Sequence, residues 1–290
     1  MKIDVLVDVK TQLGEGPLWD VRTQRLYWLD GVAGRIYRCT ASGSEVRAWD
    51  LPCRIGSMAL RAQGGALVAL ASGIHLLEFG DGELTFVSDP EALQPDNCLN
   101  DGKVDRQGRF IVGSMDSKEV SPSGALYRVD ADLSVHKIDE GIICSNGPCW
   151  SPDGSTFYFQ DSYAGEIRCY PYDRDTGALG SAQTFAKLAT DTGAADGSTV
   201  DAQGYLWNAQ VFDGKVVRYA PTGEVDRVIE MPVKKVTSVM FGGPELDVLY
   251  VTSMGVQLHP HFPADGVQRG SLFAVTGLGV RGIPEVRFAG

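Results

Sequence analysis

Four residues able to offer oxygen donors, Glu15, Asn100, Asn146 and Asp196, occupy one recurring place in this 290-residue chain. The place is marked by an apolar residue four positions later: Trp19, Val104, Trp150 and Val200. Gly56 (before Leu60) and Thr237 (before Phe241) hold the same phase, and Asp101 directly follows Asn100. Converging carboxylates repel one another unless a cation or proton intervenes. Two carboxylates with amide oxygens form a hard-oxygen set suited to Ca²⁺, Mg²⁺ or Mn²⁺, with Fe²⁺ and Zn²⁺ left open. Singly, such residues commonly cap strand ends or fasten turns. Their shared phase argues for one divalent-metal site.

Positioning them requires a repeat. The six slots are spaced by 41, 44, 46, 50 and 41 residues, the period of a four-stranded propeller blade. After each slot comes a turn (DVRTQ, AQGG, DRQG, PDGS, DAQG, GGPELD), then an aromatic-rich strand such as RLYWLD or TFYFQD. A third strand opens on Gly34, Gly73, Gly124, Gly165, Gly214 and Gly270 in turn. Alternating runs such as EVRAWDL supply fourth, outer strands with polar residues toward water. The expectation is an all-β, six-bladed β-propeller with four antiparallel strands per blade, a single domain over residues 1–290. Each slot should lie just before an innermost strand, so that all six ring the channel mouth and form the metal site there. Either Ile3–Val9 or the tail PEVRFAG could complete the last blade and close the ring. Two long connections, residues 116–123 and 255–269, should rim the mouth as lids. The second contains His259 and His261, read as a surface loop before a metal motif.

Composition narrows the partners. The chain is 43% hydrophobic and 22% charged, with 35 glycines, a globular profile rich in tight turns. A formal charge of −11 disfavours phosphate backbones, so no nucleic-acid partner is expected. No apolar run approaches the roughly 20 residues needed to cross a bilayer, so no membrane partner is expected. The acidic N-terminal stretch does not resemble an export signal. Together with six cysteines lacking CxxC pairs, this predicts reduced thiols and a cytoplasmic location. Oligomeric state is not readable.

Several motifs carry a resemblance: GEGPLW from Gly14, NDGKVDRQGRF from Asn100, SNGPCWSPDG from Ser145, DGSTVDAQGYLW from Asp196, FGGPELDVLYVTS from Phe241 and GLGVRGI from Gly277. In combination they resemble the gluconolactonase family that includes regucalcin, nearly end to end. The resemblance implies a six-bladed propeller that binds one divalent metal and hydrolyses sugar lactones in sugar catabolism. Position by position it implies metal ligands Glu15, Asn146 and Asp196, with Asn100 on the substrate side and Asp101 and Asp161 as neighbouring carboxylates. Asp196 is the implied general base. A metal-bound carboxylate is a poor base, which keeps Asp101 as a second catalytic candidate, with metal-bound hydroxide as the other alternative. Where the family pattern has an arginine two residues before the asparagine of NDGKVD, this chain has Cys98, and a cysteine cannot supply forked donors. Cys98 and Lys118, the latter in the first lid where regucalcin carries an acid, are therefore the positions expected to alter substrate binding. Cys98 as a nucleophile lacks an adjoining histidine and is the weaker reading. Two rival functions use the same fold: a non-catalytic calcium-binding propeller, and a metal-dependent ester or organophosphate hydrolase.

Overall fold

The structure is a computed structural model that describes residues 1–188, 193–256 and 264–290. Short apolar runs punctuated by turn glycines form strands, and none of the described residues is helical. Strand β1 (Lys2–Val7) precedes blade one, which contains β2 (Gly14–Asp20), β3 (Arg25–Asp30), β4 (Arg35–Cys39) and β5 (Arg47–Asp50). Blade two contains β6 (Ile55–Leu60), β7 (Ala66–Leu70), β8 (Gly73–Leu77) and β9 (Leu84–Ser88). Blade three is β10 (Asn97–Val104), β11 (Phe110–Asp116), β12 (Gly124–Val129) and β13 (Val135–Ile142). Blade four is β14 (Ser145–Trp150), β15 (Thr156–Asp161), β16 (Glu166–Pro171) and β17 (Gln183–Lys187). Blade five is β18 (Ala194–Val200), β19 (Leu206–Val211), β20 (Lys215–Tyr219) and β21 (Val225–Glu230). Blade six is β22 (Val236–Gly242), β23 (Val248–Ser253) and β24 (Leu272–Thr276), completed by β1 in the order β1-β24-β23-β22. The fold is the expected six-bladed propeller of antiparallel four-stranded sheets.

Hydrogen bonding decides the closure. Lys2, Ile3, Asp4 and Val5 pair in register with Thr276, Val275, Ala274 and Phe273, so the N-terminal strand closes the ring. The tail does something else. It crosses the face opposite the slots, where the Gly282 and Phe288 amides donate to Leu246 and Leu60 carbonyls at 2.8 Å each. Arg287 adds a 2.7 Å contact with Asp20, and Phe288 is fully buried between blades two and three. The tail thus straps the underside of several blades. Phe288→Ala should cost about 3–5 kcal/mol, the usual range for emptying a buried phenyl site, measurable as a lowered denaturation midpoint.

The core lies between blades rather than within them. Trp207 of blade five meets Phe241 of blade six edge-on at 5.5 Å, and Trp19 of blade one stacks on Tyr250 of blade six at 6.1 Å. Each sheet buries both faces only when both neighbours are in place, which ties every blade's stability to ring closure. The innermost strands β14 and β22 are buried throughout, whereas the outer strands β13 and β21 are mostly exposed or half-buried.

One expectation changes. The slots lie inside the innermost strands, not before them. In all six the pairing register breaks beside the slot: Glu15/Leu18, Ile55/Ser57, Leu99/Gly102, Asn146/Cys149, Ala195/Ser198 and Val236/Val239. A bulge bends the strand and re-aims its side chains. This is what turns a strand residue toward the channel mouth.

Candidate active site

The bulges work with the glycines that follow the slots. At Gly147 (φ +57°) an added Cβ would press into the Gln160 side chain and lie 2.7 Å from the Asp196 carbonyl. At Gly197 it would run into Ser238. Without side chains here, β14, β18 and β22 approach closely enough for neighbouring slots to share one space.

That space gathers Asn100, Asp101, Asn146 and Asp196, with Glu15 in electrostatic range. Asn100 Nδ2 donates to Asn146 Oδ1 at 3.1 Å and to the Ser145 carbonyl at 3.0 Å. Asn146 Nδ2 donates to Ser162 Oγ at 2.8 Å, and that hydroxyl donates to the Ala195 carbonyl at 2.7 Å. Asp101 is clamped by two backbone amides, Gly102 at 2.8 Å and Gly147 at 2.9 Å. It therefore links blades three and four.

Burial sets the electrostatics. It raises the Asp196 carboxyl well above its ordinary value, and the charges of Glu15 and then Asp101 raise it further. Glu15 is pushed up to about 8, first by desolvation and then by Asp101. Burial also raises Asp101, against the pull of Lys103 and its two amides. Three buried carboxyl groups, with Glu15 and Asp196 further raised by neighbouring carboxylates, form a site that favours positive charge.

The amide of Asn146 tests whether a divalent cation fits. With Nδ2 bonded to Ser162, Oδ1 lies 3.3 Å from Asp196 Oδ1 and 3.0 Å from the Ser145 carbonyl. Oxygens crowd oxygen there. Turning the amide over would relieve this, but would set nitrogen against Asn100 Nδ2 at 3.1 Å. A cation placed among these oxygens would balance the same crowding without turning the amide. Among the described residues no group of three or more His, Cys, Asp or Glu stands at ligand spacing; the oxygens that do face one another are the Asp196 carboxylate and the Asn146 amide. This donor pair fits a hard cation.

Other predicted residues fall elsewhere. Cys98 is buried against Met115 and Cys144, and all six cysteines are unbridged. Lys118 is not brought to the group: its ammonium is exposed and lies 3.4 Å from Asp96. Its half-buried neighbour Glu119 accepts a hydrogen bond from Tyr163 of blade four and adds to the negative field at Asp196. Asp161 fastens a loop, accepting from the Ile143 and Cys144 amides at 2.9 and 3.1 Å. Asp30 does the same in blade one for Gln12 and Leu13. His259 and His261 lie outside the described residues.

Sequence reasoning missed Arg54. Its Nη2 donates to Asn100 Oδ1 at 3.3 Å. A signal existed: Arg54 stands two residues before slot Gly56, the offset at which Cys98 precedes Asn100. Residues two apart share a strand face.

Fold and site together define a class, a six-bladed propeller with an acid- and amide-lined channel mouth. Residues 13–255 match the SMP-30/Gluconolactonase/LRE-like region, and the chain belongs to this gluconolactonase and regucalcin family. It is 35% identical to regucalcin of Xenopus laevis, across 100% of this chain and 99% of that one. It is 37% identical to the 6-deoxy-6-sulfogluconolactonase of Pseudomonas putida, covering 96% and 95% of the two chains. The solved structure of the calcium-binding protein regucalcin from Agrobacterium tumefaciens superposes with a TM-score of 0.90 at 30% identity, covering 98% and 96%.

Proposed function

We propose that this protein is a divalent-metal-dependent hydrolase that opens a sugar lactone to its aldonic acid. The observation that carries the reading is the convergence of Asn146, Asp196 and Asp101 from three separate blades: Asn146 Oδ1 faces Asp196 Oδ1, Asp101 accepts from the amide of Gly147 beside Asn146, and Glu15 lies in electrostatic range. A named lactonase among the relatives supports it. Glu15, Asn146 and Asp196 would hold the cation, which when bound supplies a Lewis acid for the lactone carbonyl and its developing oxyanion.

The chain's own residues do the rest. Asn100, its amide fixed between Arg54, Asn146 and Ser145, meets the sugar hydroxyls. The attacking water gives its proton to a carboxylate oxygen of Asp101 or Asp196, the two proton acceptors here besides Glu15. Raised carboxyl affinity for protons brings these groups nearer working pH, where general-base help is strongest. Glu119 and Tyr163 bridge blades three and four at the rim and narrow the approach for bulk water.

The test is proton release from a panel of aldonolactones, run with Ca²⁺, Mg²⁺, Mn²⁺, Zn²⁺ or Fe²⁺ and with chelator. We expect turnover of at least one lactone, abolished by chelator and restored by added cation. Cation binding without turnover of any lactone would favour a calcium-binding role instead, as in the relative described as calcium-binding. Turnover of phosphotriesters or aryl esters in preference to lactones would change the bond cleaved.

A further inference from the structure

The mouth contains a guanidinium that nothing in the reading above fully employs. Gly56 lets β6 press against blade three, since a Cβ there would come within 2.6 Å of Asn100 Cα. This brings Arg54 beside Asn100. Arg54 Nη2 also lies 3.7 Å from Met115 Sδ, and Met115 is the cross-strand partner of Cys98. The guanidinium therefore lies against Met115, on the rung that Met115 forms with Cys98.

Its hydrogen bonding is incomplete. Among the described residues, one of its five N–H donors meets a protein oxygen, and Nε is buried without a partner. Among the described residues no carboxylate lies within ion-pair distance of it, whereas buried Arg218 is paired with Asp201 and Asp226 at 2.7 and 2.8 Å. Lys235, at the same offset in blade six, donates to the Val256 carbonyl at 3.3 Å. A partly buried guanidinium short of acceptors is matched by a group offering two or more anionic oxygens. The acids of the mouth would repel such a group elsewhere in the site.

We propose that Arg54 is a specificity-determining residue, selecting lactones that carry a second anionic group, a carboxylate or sulfonate, remote from the ester that opens. The inference rests on the lactonase reading. The experiment compares kcat/KM for a neutral aldonolactone, its distal-carboxylate counterpart and its distal-sulfonate counterpart, in the parent protein, Arg54→Gln and Arg54→Lys. The parent should prefer one or both anionic lactones, and the two arms tell carboxylate from sulfonate. Arg54→Gln should lower the anionic-to-neutral ratio by about 10- to 100-fold, the range for losing hydrogen bonds to a charged group. The loss should fall mainly on KM, with Arg54→Lys retaining part of the ratio. A parent without anionic preference, or a ratio unmoved in Arg54→Gln, overturns the proposal and leaves lactone hydrolysis standing. Calorimetric titration with an open-chain aldarate and aldonate adds a readout free of turnover. Tighter aldarate binding that Arg54→Gln abolishes would uphold the anion site even if no lactone were opened; equal binding in both proteins would refute it.

Discussion

Asp196→Asn is expected to lower kcat for lactone opening by about 10²- to 10⁴-fold and to weaken cation binding in the same protein. Asp196 is the point at which the site's separate demands meet. Its Oδ1 faces Asn146 at 3.3 Å, its charge is opposed by Glu15 and Asp101, and its backbone carbonyl accepts from Asn208 Nδ2 at 3.0 Å. Asparagine keeps the shape and those backbone contacts but removes the charge. Asp101→Asn separates the two duties. Asp101 is clamped by the Gly102 and Gly147 amides and is not needed as a ligand. If it takes the proton, its variant loses kcat with cation affinity unchanged. If its variant keeps kcat, the proton goes to Asp196. Steady-state rates alongside calorimetric cation affinity distinguish these results, and full activity in Asp196→Asn would remove the proposed centre.

The second large effect is on stability. Without a cation, Glu15 takes up its proton at about 8 in the folded protein, against an ordinary value of 4.5. Between those values the folded state binds more protons than the unfolded state, so stability falls as pH rises. The stabilisation is fully present below pH 4.5 and lost by about pH 8. The loss is on the order of a few kcal/mol, tempered because Glu15 is only partly buried at the mouth. A bound cation reverses the trend, since it favours the ionised carboxylates and releases their protons. Chelator-treated protein should therefore have a lower denaturation midpoint at pH 8 than at pH 5. Saturating cation should raise the midpoint more at pH 8. In Glu15→Gln the fall with pH should shrink, and an unchanged slope in that variant would show that Glu15 is not the group responsible.

How much of this the sequence decided by itself can be judged residue by residue. The repeat was legible because a blade is a local object: turn glycines, aromatic second strands and glycine-opened third strands recur within each 41–50-residue unit. The slots were legible for the same reason, since four residues with oxygen donors kept one phase. The family was legible in motifs such as NDGKVD and SNGPCW. Contacts between blades decided the rest. Strand alternation says which face a residue occupies, yet Asn100 and Asp101, adjacent in sequence, both contact blade four where the register breaks between Leu99 and Gly102. Closure by β1 rather than by the tail depended on pairing with β24, more than 260 residues away. Lys118 reaching Asp96 while Glu119 reaches Tyr163 followed from the loop's own backbone, where Glu119 has φ +57°. Arg54 entered only because Gly56 lets two blades touch. Local patterning determined the blades and their oxygen-bearing slots, and close packing of the inner strands determined which side chains meet, because such packing depends on residues far apart in the chain.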